Sequence, residues 1–373
     1  MFDFLIIGHK IEVNDTNKPF SKVYGNAIRS VNVATELVKL GFKVGLVVEF
    51  TSPDITRSLF SDLVLVSQKK LEQFYVKAKV LIFSTTKPEV LSGIHGINPQ
   101  NIKHKRKILL SCFVSSLPKH LAQEAYEGFD LITVNNYNQQ DLVKKVSLKL
   151  NVRQLDFGAL NLIGEIRPFL EPKGLWVGSI RHPEILVKIF KTCRAFDDVN
   201  FSIVSRLIFD CTKKLKQSER PIEHAVVNLL DDKGFNADVT RVLSDWCGMS
   251  WPDNLRFLGG VDDDYESVLF EHNFGLDFSR SVGQKHDNTK TIDYLSTGMY
   301  VLTEELAPSV RYVKEMDNGF VIHDFDSLQT DLNLFHELST RSRVDKRTAF
   351  IDKYGWQKVV EKLLAYLPGD YLS

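Results

Sequence analysis

The chain has 373 residues, with 47 lysines and arginines against 47 aspartates and glutamates. That balance excludes the basic excess of a general nucleic-acid binder, and a hydrophobic share of 43% excludes a chain that stays disordered. Its four cysteines, Cys112, Cys193, Cys211 and Cys247, lack C-x-x-C spacing, which argues against a zinc ribbon or a disulfide framework and for a reducing compartment.

In chain order, the run FDFLIIG (Phe2–Gly8) reads as a central parallel strand that ends at glycine. The N-terminus MFDFLIIGHK has no basic leader, so it reads as a first buried strand and not as a signal peptide. No apolar run approaches the roughly 20 residues that span a bilayer. The expectation is a cytoplasmic protein, soluble or peripheral at a membrane. A polar loop, Lys10–Tyr24, leads to a helix over 26–40 with Ile28, Val31, Ala34, Leu37 and Val38 at helical spacing. Gly41 ends it, and residues 43–49 (KVGLVVE) form a second strand. This β–α–β unit predicts a parallel, doubly wound sheet. Further strands are predicted at 80–83, 107–111 and 131–134, with helical stretches near Glu89 and over 119–126 and 139–146.

The composition shifts at GALNLIGEIRPFLEPK (158–173), which reads as a linker. A second series follows: strand 174–178, helix 183–195, strand 200–205, a mostly helical region over 206–250, strand 255–261, helix 263–271 and strand 274–279. Then comes TKTIDYLSTGMYVL (289–302), a helix that gives way at Gly298 to a strand. A helix near 309–316, an Asn318–Gly319 turn, a strand at 320–322 and helices at about 326–338 and 343–366 complete the chain. The predicted fold class is α/β, with two doubly wound parallel-sheet, Rossmann-like domains over 1–165 and 166–350. A final segment, 351–373, carries a helix back to the first domain. Ligands of such sheets sit beyond the carboxyl ends of the strands, so a cleft between facing domains is expected.

The segment 289–302 carries the chemistry. Asp287, Asn288 or Thr289 can cap its helix, whose free N–H groups and dipole attract an anion. Lys290 stands in the first turn, where the dipole disfavours a cation, and an anion shared with the helix end accounts for it. Asp293 and Tyr294 lie one turn on, on nearly the same face, with the carboxylate placed to meet ribose hydroxyls. The competing reading is a solvated i,i+3 Lys–Asp pair worth roughly 0.2–0.5 kcal/mol.

The ordered segments VGSIR, NFSIVSR, NLRFLGGV, FGLDFSR, KTIDYLSTGMYVLT and DNGFVI resemble the C-terminal half of GT-B glycosyltransferases. The pattern is that of the group 1 and xanthan-type glucuronosyltransferases. It is carried by Lys290, Asp293, Tyr294, Gly298, Val301–Leu302 and Asn318–Gly319, covers about 174–323, and extends to the N-terminal half by layout only. The helix around Trp356 resembles the terminal GT-B helix.

The resemblance implies a hexosyl transfer from a UDP- or GDP-sugar to a hydroxyl of a glycan or lipid-linked glycan, in polysaccharide biosynthesis. It implies that Gly178, Arg181, Arg206 and Arg280 line the donor side, that Gly259, Gly260 and Val261 present backbone to the base, that Asn288, Thr289 and Lys290 hold the diphosphate, and that Asp293 holds the ribose. An inverting course needs a base in the N-terminal domain. His9, at the end of the first strand, is the first candidate, ahead of His95, His120 and Asp130. Tyr24, Gly25 and Asn26 resemble the acceptor-side loop, and read equally as a plain helix cap. No DxD motif occurs where a metal would be held, so no cofactor and no metal are expected, and VDDDY (261–265) reads as a helix start. The basic run KHKRK (103–107) reads as contact with anionic lipid or a lipid diphosphate, or as a solvated loop before a buried strand.

Two departures stand out. Lys285 occupies the position of the first of the two glutamates of retaining members, and Tyr300 replaces the usual proline. The alternatives are a non-transferring enzyme such as a sugar-nucleotide epimerase, or an inactive module that binds nucleotide or glycan.

Overall fold

The computed structural model describes residues 1–8, 11–13, 26–50, 58–60, 63–67, 71–85, 101–103, 106–111, 126–160, 162, 164–166, 171–178, 180, 183–205, 237–259, 265–278, 289–305, 308–326, 328 and 340–371. The chain divides into two compact units, Met1–Gly158 with Tyr354–Ser373, and Ala159–Lys353.

The first unit contains β1 (Phe2–Gly8), β2 (Glu12–Val13), α1 (Asn26–Lys39), β3 (Val44–Phe50), β4 (Ser58–Phe60), β5 (Leu63–Ser67), α2 (Leu71–Tyr75), β6 (Ala78–Thr85), β7 (Lys107–Ser111), β8 (Leu131–Val134), α3 (Tyr137–Val146) and β9 (Val152–Gln154). The sheet order is β4-β5-β3-β1-β6-β7-β8-β9, with β2 on β3. Only β4, on β5, pairs antiparallel among the described strands. β1 lies between β3 and β6 and is covered on both faces, which is why its run Phe4–Ile7 is apolar without alternation. Val33, Ala34 and Leu37 of α1 supply one covering stripe at helical spacing. Four short strands, β2, β4, β5 and β9, go beyond the elements expected from the sequence. Two or three residues are too few to display a period, and LVLVS of β5 is a five-residue apolar run whose type periodicity alone does not decide.

The second unit contains β10 (Lys173–Val177), α4 (Pro183–Ala195), β11 (Asn200–Val204), α5 (Ala237–Cys247), β12 (Leu255–Gly259), α6 (Tyr265–Glu271), β13 (Phe274–Asp277), α7 (Thr289–Ser296), β14 (Tyr300–Glu304), α8 (Val310–Met316), β15 (Gly319–Ile322) and α9 (Thr340–Tyr354). Its strands are ordered β12-β11-β10-β13-β14-β15 and all run parallel. By order of appearance this is 3-2-1-4-5-6, the doubly wound arrangement of dinucleotide-binding sheets. Phe190 and Ile189 of α4 pack with Phe201, Ile203 and Leu276 of the strands to form its core.

The terminal helix expected over 343–366 is two helices, α9 and α10 (Trp356–Ala365). Gly355 separates them with ψ 153°, far from helical geometry. The apolar spacing runs on through the break, since Phe350 and Tyr354 are buried before it and Trp356, Val359 and Val360 after it. α10 packs on α1, and Trp356 lies against Gly158, where an added Cβ would come within 2.3 Å of the indole. Among the described residues no helix is long and apolar enough to cross a membrane.

Gly298 links α7 to β14 at φ +71°, and a Cβ there would meet the carbonyl oxygen of Arg343 at 2.3 Å. Gly298→Ala is expected to cost at least about 2 kcal/mol in urea unfolding, because left-handed strain of about 1–2 kcal/mol adds to a backbone clash. Gly41→Ala is the control. Gly41 has φ +90° with nothing within 4 Å of an added Cβ, so only the strain applies. Equal losses at the two positions would show that the Arg343 contact carries no weight.

Candidate functional site

In the second unit the strand order reverses between β10 and β13, and ligands of such sheets settle beyond the carboxyl ends of the strands at that reversal. β10 ends in Trp176–Val177 and β13 ends in Asp277. Two sequence features bring α7 to this point. Gly275 leaves a slot in β13 that the Tyr294 ring fills, so a Cβ at Gly275 would lie 2.2 Å from the ring. The Tyr294 hydroxyl then accepts a hydrogen bond from the Val177 N–H at 2.9 Å. Burial pushes the Tyr294 phenol well above its ordinary range, opposed by the Val177 hydrogen bond.

The sequence places Tyr294 on nearly the same face as Lys290, and the structure separates the two side chains. The slot at Gly275 draws the Tyr294 ring into the core, where it is fully buried. Lys290 goes elsewhere. Its Nζ lies 3.8 Å from Asp277 Oδ1 and 4.7 Å above the Trp176 ring, with 14% of the side chain exposed. Burial lowers the Lys290 pKa from its ordinary 10.5, and the charges of Asp277 and Glu304 act to raise it. Among the described residues the buried Trp176 Nε1 has no hydrogen-bond partner, and it is the ring face of this residue that meets Lys290.

Asp277 is fully buried at the end of β13. Its Oδ2 accepts from the Thr291 hydroxyl in the first turn of α7 and from the Ser309 hydroxyl, 2.7 Å away, just before α8. Its main-chain oxygen accepts from the Thr303 hydroxyl of β14 at 3.2 Å. Glu304, at the end of β14, pairs with Lys188 of α4 at 2.7 Å. Asp293 is half-buried and accepts from the Tyr265 hydroxyl of α6 at 2.7 Å. The lysine is therefore ion-paired to a strand carboxylate, and the aspartate is oriented by a tyrosine of the neighbouring helix.

The other expected donor-side residues distribute as follows. Gly178 has φ +149° and follows β10, with its N–H donating to Val204 at 3.0 Å. Gly259 has φ +73° at the end of β12, and its carbonyl accepts from the Ser205 N–H at 3.0 Å. Thr289 is exposed at the start of α7. Arg181, Arg206, Gly260, Val261, Arg280, Asn288, His9, Tyr24 and Gly25 lie outside the described residues, as does the side chain of Asn26. The residues that sequence reading missed are Asp277, Trp176, Ser309 and Glu304. A signal existed for one of them, since a carboxylate inside the apolar run FGLDF is costly unless something pairs it.

A protonated lysine in the first turn of a helix adds its charge to the positive end of the helix dipole. The deep carboxylate holds the lysine from behind, and the Trp176 face shields it from water. An anionic group with several oxygens, such as a diphosphate, matches that arrangement.

No protein-family model and no curated protein matches the chain. Among solved structures it is similar to sucrose-phosphate synthase from Thermosynechococcus elongatus, with a TM-score of 0.62 at 13% identity over 97% of this chain and 98% of that one. It is also similar to WaaG, a glycosyltransferase involved in lipopolysaccharide biosynthesis, with a TM-score of 0.55 at 11% identity over 98% and 99% of the two chains. Trehalose-6-phosphate synthase OtsA aligns with a TM-score of 0.56 at 9% identity over 97% and 98%. At these identities the likeness shows the fold.

Tyr294→Phe keeps the ring and strips the acceptor from the Val177 N–H. The expected loss is about 1–3 kcal/mol, the cost of a stranded buried donor, read by thermal or urea unfolding. A change below about 0.5 kcal/mol would show that water replaces the hydroxyl.

Proposed function

We propose, on the premise of the GT-B glycosyltransferase fold that the chain adopts, that it transfers a sugar from a nucleoside-diphosphate donor, UDP- or GDP-linked, to a hydroxyl of a glycan or lipid-linked glycan. The observation that carries this reading is Lys290. It is a largely buried cation in the first turn of α7, at the strand-order reversal of a 3-2-1-4-5-6 sheet. A lysine in that turn opposes the helix dipole, and a bound diphosphate turns the opposition into a shared attraction.

In this reading Lys290 and the α7 N–H groups, with Thr289 and Asn288, hold the diphosphate. Negative charge grows there as the sugar–phosphate bond breaks, so stabilisation at this point lowers the barrier. Lys290 supplies the neutralising charge, and turnover persists in EDTA. Asp293, oriented by Tyr265, accepts from the ribose. Gly178 and Gly259 let the nucleotide approach backbone, with Arg181, Arg206, Gly260, Val261 and Arg280 completing the donor side. Tyr24, Gly25 and Asn26 face the acceptor, and His9 takes the acceptor proton in an inverting course. The acceptor is met in the cytoplasm or at a membrane surface. A second reading, a binding module without turnover, is favoured by Lys285 in place of the acid of the retaining pattern.

UDP or GDP at 100 times its Kd is expected to stabilise the protein by about 2.7 kcal/mol in thermal unfolding. No shift with either at millimolar concentration removes the nucleotide reading. Lys290→Ala is expected to weaken donor binding tenfold or more, since a charge-assisted hydrogen bond contributes about 1.5–3 kcal/mol. The Lys290 pKa in the folded chain lies below 10.5. Donor affinity is therefore full below the lowered value and falls as pH rises through it. Binding without hydrolysis or transfer for any sugar nucleotide selects the second reading, and a product of retained configuration removes the need for His9.

A further inference from the structure

The feature that the donor-site reading leaves unused is the fully buried carboxylate behind Lys290. Asp277 touches no solvent. It is tied by hydroxyls from two helix starts, Thr291 of α7 and Ser309 before α8, and by Thr303 through its main chain. Ser309 occupies the N-cap position of α8, yet its side chain makes no capping bond and donates to Asp277 instead. A helix start has given up its own cap, commonly worth about 1 kcal/mol, to a carboxylate one strand away. A neutral residue with the same shape would satisfy Thr291 and Ser309 without burying a charge, so the charge itself calls for an explanation.

We propose that Asp277 is a positioning residue that keeps Lys290, held over the Trp176 face, in its protonated form, so that the carboxyl edge of the second unit presents a cation and not a neutral amine to its ligand. The ligand in question is the nucleoside diphosphate of the donor reading, on which this inference rests.

The charged groups that act on Lys290 are Asp277 of β13 and Glu304 of β14; α7 itself also carries the titratable Asp293 and Tyr294, and β10 contributes the uncharged Trp176. Glu304 already answers to Lys188 at 2.7 Å, which also lies 3.5 Å from Glu184. Burial drives Lys290 toward the neutral form, and Asp277 is the larger of the two opposing charges.

The test uses the full chain carrying lysine labelled with carbon-13 at Cε. The Lys290 signal is the one absent from Lys290→Met, and it is followed against pH by NMR. UDP affinity is measured over the same pH range by calorimetry. Asp277→Asn is expected to lower the Lys290 midpoint by at least one pH unit, Glu304→Gln to lower it less, and Asp277→Glu to recover most of the loss.

The UDP curves of wild type and Asp277→Asn are then expected to cross. At the acid end Lys290 is charged in both and the variant has lost a buried negative charge, so it binds UDP at least as tightly. At the alkaline end it binds at least tenfold more weakly. A purely structural role would weaken binding at every pH. Where Asp277→Asn does not accumulate, Asp277→Ser carries the same titration, and Glu304→Gln decides independently.

An unmoved Lys290 midpoint in the Asp277 variants overturns the proposal, as does an equal or larger fall in Glu304→Gln. Wild type that binds no UDP while the midpoint falls as expected overturns the donor reading and leaves Asp277 as the holder of the lysine charge.

Discussion

A carboxylate sealed from water is stable only if other groups replace its hydration, and Asp277 recruits those groups from much of its surroundings. The first turn of α7 comes to it through Thr291 and Lys290, the start of α8 through Ser309, and β14 through Thr303. The carboxyl edge of the second unit is thus a set of elements that terminate on one buried charge. α7 is held at two further points, by Tyr294 at its middle through the Val177 N–H and by Gly298 at its end against Arg343. A helix of eight residues has little stability of its own. Its geometry comes from these three attachments, and so does the direction of Lys290.

The sheet explains why the attachments converge there. The order 3-2-1-4-5-6 reverses between β10 and β13, and in sheets of this order ligands bind beyond the carboxyl ends of the strands at the reversal. The first unit is built alike, with β1 and β6 adjacent and the later strands following outward. Its reversal point is tight. A Cβ at Gly8 would come within 2.2 Å of the Ser30 hydroxyl and 3.1 Å of the Ser84 carbonyl. Glycine at the end of a first strand lets helix and strand close together there, whereas in the second unit β10 is followed by a half-buried glycine at φ +149° beside a tryptophan.

Much of this was legible along the chain. The uninterrupted apolar run of β1, the helical spacing of Ile28 to Val38 and the recurrence of strand and helix were enough for two parallel, doubly wound sheets. The same local grammar located α7, the turn at Gly298 and Lys290 as a cation out of place in a first turn. Local grammar did not place the Tyr294 ring, because a helical wheel shows which residues share a face and not which neighbour lacks a side chain to receive them. It ran α9 and α10 together, because apolar spacing continues across Gly355 while the backbone does not. Strands of two or three residues escaped it for want of a period.

The sequence by itself determined the class of fold and the residue types at the carboxyl edge of the second sheet, because hydrophobic period and glycine placement are properties of neighbours along the chain. Only the tertiary structure decided what those residues do to one another. Asp277 and Ser309 are 32 positions apart, and Trp176 stands more than a hundred residues from Lys290. Partnerships of that range leave no spacing to read. They come from strand order and from which side chains the core excludes from water, and here they convert a lysine in the wrong turn of a helix into a held cation.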